Sequence, residues 1–312
     1  MTDNRIEVSS VSNSRIARYS SDSIKKSLSL ARKLSNPGLD MEKDAEDYFV
    51  LGLEKLNSGD YQESVYYFNI TLGINSLSID AYLTYCYRSM AKFALEDHQG
   101  AIDDLSQTIR LAPTNNAESY CFRADAKRSL LDNQGAIDDY TQAIKLDPSC
   151  AIAYHCRAGA KCDLGDYQGA IDDFSESIRL GSNNAESYCL RARSKNDLGD
   201  YQGAIDDYTQ CISINPNNES YYNERGHAKY KLGDKQGALI DYHQSIKINP
   251  NFLDAYNNRG RAKYDLGDIQ GALADFDRVS KLDPGHWCAS YSRGTIMMGF
   301  PFGDDWGSPV LS

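Results

Sequence analysis

The sequence predicts an all-α protein, a solenoid of about seven helical hairpins, and three periodic features carry that prediction. Seven arginines, Arg88, Arg123, Arg157, Arg191, Arg225, Arg259 and Arg293, are spaced by 35 residues once and by 34 thereafter. Lysines stand four residues beyond the first six of them, at Lys92, Lys127, Lys161, Lys195, Lys229 and Lys263. Seven Asp-x-Gln triplets, opening at Asp60, Asp97, Asp132, Asp166, Asp200, Asp234 and Asp268, keep the same beat. A fixed period of this length marks an array of like supersecondary units, each of which buries its apolar face only by stacking on the next.

Along the chain, residues 1–44 read as a Ser-rich basic arm. Its first 35 residues hold ten serines and a net charge of +4, a composition that lacks the apolar residues of a packed core. From Asp22 to Leu34, Ile24, Leu28 and Leu34 fall in an apolar stripe beside Lys25, Lys26, Arg32 and Lys33, the pattern of a short amphipathic helix. Such a helix has three docking partners open to it: its own repeats, an anionic membrane or another protein.

Residues 45–286 hold the repeats. In the copy at 185–218, Ala185, Tyr188, Ala192 and Leu198 recur at helical spacing until Gly199-Asp200 interrupts them. Asp200 is then placed to cap a second helix, whose stripe of Ala204, Tyr208, Cys211 and Ile212 runs to the break at Asn215-Pro216. Small residues midway along the first helix (Gly52, Ala124, Ala158, Ala192, Gly226, Gly260) and early in the second (Ala101, Ala136, Ala170, Ala204, Ala238, Ala272) let the two axes approach. Phe68, Leu105, Tyr140, Phe174, Tyr208, Tyr242 and Phe276 share one position of the second helix and fill the space beside them. Residues 287–312 complete the chain: His286 to Met298 reads as a capping helix, and the aromatic tail from Gly299 to Leu311 is expected to tuck against the last repeat.

A 34-residue helix-turn-helix unit with an aromatic near its start, a small residue four positions later, an early alanine and an aromatic in the second helix, and a closing proline resembles the tetratricopeptide repeat. Seven copies run roughly over 45–81, 82–116, 117–150, 151–184, 185–218, 219–252 and 253–286. The wording Asp-Tyr-Gln-Gly-Ala-Ile-Asp-Asp is similar to bacterial, especially cyanobacterial, members. The resemblance implies a right-handed superhelix whose first helices line a concave face that holds partner proteins. Where the family usually carries leucine before the small residue, this chain carries arginine in all but the first copy, and where it carries a later tyrosine, lysine. Asp104, Asp139, Asp173, Asp207, Asp241 and Asp275 recur in the second helix, so Arg–Asp pairs between the helices of a hairpin are expected.

Composition narrows the function. Lys+Arg 33 against Asp+Glu 44 gives a net charge of −11, which opposes sequence-independent nucleic-acid binding, since that draws its affinity from neutralising phosphates. No apolar run reaches the length of a membrane-spanning helix, and the start lacks the apolar segment of a secretory signal, so a cytoplasmic location is expected. Eight cysteines without a C-x-x-C pair read as free thiols.

No phosphate loop, dinucleotide fingerprint, zinc-protease or nucleophile-elbow motif occurs, so the reading is non-catalytic, with no cofactor and no metal. Cys121, His155 and Cys189 share one position in successive copies, but stacked hairpins stand about 10 Å apart, too far to share a zinc ion whose ligands lie about 2.3 Å away. What remains is the concave face. Arg193, Asn223, His227, Tyr230, Asn257, Arg261 and Tyr264 are the expected partner contacts: the basic groups suit an extended acidic segment and the asparagines suit its backbone. Phe49, Leu53, Met90 and Phe93 are expected to form a second, apolar groove nearer the start. The chain is thus read as a scaffold or adaptor that binds a protein. The alternative is a membrane-surface assembly factor or co-chaperone anchored through the basic arm.

Overall fold

A computed structural model describes residues 45–75, 81–112, 116–181, 185–285, 293, 294 and 296. The amphipathic stretch at 22–34, the rest of the arm 1–44 and the tail from 299 lie outside the described residues. Of the expected cap, Arg293, Gly294 and Ile296 are described and helical, with Ile296 packed against the cluster of Ala272, Phe276 and Val279 and Arg293 paired with Asp277 at 3.1 Å.

The fold is all-α, with fourteen helices and no strand among the described residues. The chain divides into two compact units, 3–166 and 167–312. The first unit holds α1 (Ala45–Ser58), α2 (Tyr61–Asn75), α3 (Ala81–Ala94), α4 (His98–Leu111), α5 (Ala117–Ser129), α6 (Asn133–Leu146) and α7 (Ala151–Asp163). The second holds α8 (Tyr167–Arg179), α9 (Ala185–Asp197), α10 (Tyr201–Ile214), α11 (Glu219–Leu232), α12 (Lys235–Ile248), α13 (Leu253–Asp265) and α14 (Ile269–Leu282). Within each unit every helix packs on its neighbours in sequence, and first helices of successive hairpins also touch, α1 with α3, α5 with α7 and α11 with α13. This is the helix-pair packing of a tetratricopeptide-type stack.

The Asp-x-Gln-Gly wording is a cap. Asp97, Asp132, Asp200, Asp234 and Asp268 each precede a helix and accept the backbone N–H of the glycine three residues on, at 2.8–3.0 Å. The glycine is required by that contact: a Cβ on Gly203 would stand 2.2 Å from Asp200 Oδ2. The residue before the capping aspartate is left-handed in every described hairpin turn. Gly59, Gly165, Gly199, Gly233 and Gly267 take it with φ between +79° and +96°, whereas Glu96 and Leu131 do so as L-residues at +63° and +64°. Leu131 is also largely exposed, so nothing but the turn holds it there. Leu131→Gly is therefore expected to stabilise the chain by about 0.5–1 kcal/mol, seen as a higher melting temperature, and an unchanged or lower one would refute the strain.

Aromatic knobs close the hairpins. Phe68, Tyr140, Phe174, Tyr208, Tyr242 and Phe276 are fully buried. A Cβ on Gly52 would meet Phe68 at 2.6 Å, and one on Gly226 would meet Tyr242 at 2.8 Å, so the ring occupies the space that the small residue vacates. In the first hairpin Ser64 replaces the early alanine and donates its hydroxyl to the carbonyl of Gly52 at 2.9 Å.

The expected charge lattice is present. Arg88, Arg123, Arg191, Arg225 and Arg259 each grip an aspartate of the second helix through Nε and Nη2, at 2.5–2.9 Å, on Asp104, Asp139, Asp207, Asp241 and Asp275. The lysine four residues on joins the same carboxylate: Lys92, Lys127, Lys195, Lys229 and Lys263 stand 2.8–3.0 Å from it. The aspartates are only 2–4% exposed, so each buried carboxylate is matched by two cations and by a forked donor. Each arginine also lies over the tyrosine three residues earlier, 5.3–5.7 Å from the ring centre. In five of the hairpins the arginine's Nη1 reaches back to the hairpin before: Arg88 to Asn69, Arg123 to Ser106, Arg157 to Thr141, Arg191 to Ser175 and Arg225 to Thr209, at 2.6–3.2 Å.

Candidate functional site

In the unit 167–312, α9, α11 and α13 carry all seven of the expected partner contacts: Arg193 on α9, Asn223, His227 and Tyr230 on α11, and Asn257, Arg261 and Tyr264 on α13. Arg193, His227 and Arg261 share one repeat position, as do Asn223 and Asn257, which is why the sequence could place them on one face. Their depths differ. Arg193 is exposed and makes no hydrogen bond or ion pair within 4 Å to a described residue, whereas its neighbour in sequence Arg191 is locked on Asp207.

Asn223 is not available to a ligand. It is 3% exposed, accepts from Asn258 Nδ2 at 3.0 Å and donates to Glu224 Oε1 at 3.2 Å. Its position faces the next first helix, so it ties α11 to α13 and cannot bond a partner's backbone. Tyr230 donates its hydroxyl to Asp265 and has Arg261 at 5.6 Å and Lys235 at 5.9 Å from its ring centre. Burial and the Asp265 hydrogen bond push the Tyr230 phenol up to about 12, so it stays neutral and a donor. Tyr264 packs against the Phe276 cluster, and Asn257 is half-buried.

His227 adds no charge to this face at neutral pH. Burial, with Lys231 and Arg261 beside it, brings its imidazole down to about 4. The row of three cations that the sequence suggests is therefore two arginines flanking a neutral imidazole. Three carboxyls that the sequence reading missed stand among them. Burial holds Glu224 above the usual carboxylate range against the pull of Arg193 and the hydrogen bond from Asn223, and burial raises Asp197 likewise. Asp265 anchors Tyr230 and pairs with Lys235 at 3.3 Å. Glu224 occupies the position held by Leu190 and Asn258 in the flanking copies, a departure visible by aligning the repeats.

The expected apolar groove of the first unit is largely core. Leu53 is 0% and Met90 7% exposed, both inside the cluster with Leu56, Phe68, Tyr87 and Ala91. Phe49 packs its ring on Phe68 and Tyr87, 5.9 Å from each, and Phe93 meets His98 at 4.9 Å. Phe49, Leu53 and Met90 hold α1 to α3, and Phe93 packs on His98 of α4. On the corresponding face of α5 and α7, Arg128 pairs with Asp163 at 2.8 Å and its guanidinium lies where a side chain on Gly159 would be, which removes that cation from any ligand.

Hairpins repeating every 34 residues, with a charged face of first helices and buried ion triads between the helices, define a helical-repeat protein. Models of the tetratricopeptide repeat match residues 123–185, 192–233, 219–252 and 253–286, together about half of the chain, and the chain belongs to that family. No curated protein sequence matches it significantly. Among solved structures it is similar to MamA, at 25% identity and a TM-score of 0.50 over 52% of this chain and 94% of that one. It is similar to YrrB, described as a TPR protein with an unusual peptide-binding site, at 21% identity and a TM-score of 0.55 over 61% and 97%. The C-terminal part of a TPR repeat-containing protein from Cytophaga hutchinsonii aligns at 16% identity and a TM-score of 0.68 over 78% and 98%. The repeat family is generally a non-catalytic, protein-interaction fold. Among the described residues no helix is long and apolar enough to cross a membrane.

Proposed function

We propose that this chain is a non-catalytic scaffold that binds an extended acidic segment of a partner protein along α9, α11 and α13. The observation that carries the reading is Arg193. Arginines that serve the fold here are forked onto aspartates, whereas Arg193, on the same helix as Arg191, is exposed and makes no hydrogen bond or ion pair within 4 Å to a described residue, its charge reaching Glu224 and Asp197 only at longer range. Arg261, one position-equivalent repeat pair further on, presents its guanidinium over Tyr230, and the neutral His227 between them supplies a hydrogen-bonding ring. Membership of a protein-interaction family supports the same reading.

The test is fluorescence anisotropy with labelled extended peptides that are acidic, neutral or basic in composition. Acidic peptides are expected to bind the wild type best, and Arg193→Glu/Arg261→Glu to weaken them at least tenfold, about 1.4 kcal/mol or more, with circular dichroism unchanged. Equal affinity of wild type and variant for the acidic peptides would remove α9, α11 and α13 as the site.

A further inference from the structure

We propose that Cys189 and Cys211 form a dithiol site, oxidised by a hydroperoxide to a disulfide inside the hairpin of α9 and α10. The proposal places its chemistry on two cysteines outside the binding reading and stands whether or not an acidic segment binds. Both thiols belong to one cluster: Cys211 is buried with Ala192, Ala204, Tyr208 and Ala228, and Cys189 packs against it. Cys211 donates its Sγ–H to the carbonyl oxygen of Ala185 at 3.2 Å, one helical turn before Cys189, so its sulfur sits against the turn of α9 that carries Cys189. A disulfide needs Cα atoms about 4.4–6.8 Å apart. Packed helices approach that only where small residues meet, and this hairpin closes on Ala192 and Ala204, both fully buried.

The pair is asymmetric in the way such chemistry requires. Cys189 is part-exposed and Cys211 fully buried, so a small oxidant meets Cys189 first and Cys211 is already beside it. The adjoining Cys211 thiol and the charge of Arg193 pull the Cys189 thiol down against its burial, while the Cys189 thiol and burial push Cys211 up. A part-exposed thiol whose ionisation is favoured, with a resolving thiol packed beside it, is the arrangement that oxidises selectively. By contrast, burial pushes Cys86 up to about 12 and makes it a poor nucleophile.

In the first step the Cys189 thiolate attacks hydrogen peroxide. The S–O bond forms as the O–O bond breaks, and the departing hydroxide leaves as water with the proton that Cys189 released. In the second step the sulfur of Cys211 attacks the sulfenic sulfur, the S–S bond forms, the S–O bond breaks and a second water leaves carrying the Cys211 proton. The pair loses two electrons and two protons, and the peroxide is reduced to two waters.

The experiment treats the reduced full-length protein with stoichiometric hydrogen peroxide, alkylates the remaining thiols and maps peptides under non-reducing conditions. A Cys189–Cys211 linked peptide, lighter than the two reduced peptides by two hydrogens and cleaved by dithiothreitol, is expected to dominate. Two of the eight thiols then escape alkylation. Cys211→Ser should abolish the link and leave a sulfenic or sulfinic acid on Cys189. Serine fits there, since Ser177 and Ser245 occupy the matching positions of the flanking hairpins fully buried. The proposal is overturned if both cysteines are still alkylated at a peroxide dose that oxidises other thiols of the chain. It is equally overturned if the linked peptide is no more abundant than in protein oxidised in guanidinium.

Discussion

Asp207→Ala lowers the stability of the chain by about 3–5 kcal/mol, read as a large drop in melting temperature or in the guanidinium midpoint. The carboxylate is almost wholly buried between α9 and α10 and answers two cations, Arg191 at 2.6 Å and Lys195 at 2.8 Å. Removing it leaves both cations partly desolvated with no counter-charge, which costs far more than the net worth of the intact pair. Asp206→Ala is the control. That carboxylate is exposed and accepts a hydrogen bond from Gln202 on its own helix at 3.0 Å, so its loss shifts stability by no more than about 0.5 kcal/mol. Equal melting of the two variants would show that the lattice carries no stability. A triple variant that replaces Arg191, Lys195 and Asp207 by apolar residues is expected to recover most of the loss, because no uncompensated charge then remains.

Tyr208→Ala is the second large effect, about 3–5 kcal/mol, and Tyr208→Phe is expected to cost nothing. The ring is fully buried and is the knob around which Ala192, Ala204 and Cys211 close, so its removal leaves a cavity where the two helices meet. Its hydroxyl is buried without a hydrogen-bond partner among the described residues. Burial pushes that phenol well above its ordinary range and keeps it neutral. Deleting the oxygen therefore relieves an unsatisfied group instead of breaking a bond. The equivalent ring in the first unit is the contrast: Tyr140 donates to the buried carboxyl of Asp125, so Tyr140→Phe breaks a buried hydrogen bond and costs about 1–3 kcal/mol. Should Tyr208→Phe destabilise as much as Tyr140→Phe, the hydroxyl has a partner after all.

The hairpin, its cap and the Arg–Asp lattice were all legible because each is a local rule applied again and again. The small residue and the aromatic knob, the capping aspartate and its glycine, and the arginine with an aspartate 16 residues on recur in register, so one copy reads the others. The lysine's share in each carboxylate was not foreseen, although its fixed spacing of four from the arginine put it on the same helix face. The candidate site was read less well, for a physical reason. Repeat position fixes the direction in which a side chain points but not how deep it lies between adjacent first helices. Asn223 and Asn257 hold one position, yet the first is sealed by Asn258 and the second is not. Leu53 and Met90 likewise point inward at a level where neighbouring helices already touch. Nor does position report charge state, and His227 counts as a cation only until its burial beside Lys231 and Arg261 is known.

The backward reach of the ladder arginines gives assembly a direction. Arg123 takes its third partner from Ser106, Arg157 from Thr141 and Arg225 from Thr209, always on the preceding hairpin. Each of the five hairpins that make this bond thus brings the donor and finds the acceptor on a neighbour made before it. A ribosome delivers the amino end first, at about 5–20 residues per second. Each such hairpin therefore emerges facing a waiting acceptor, and the protein can be laid down like courses of brick during its own synthesis.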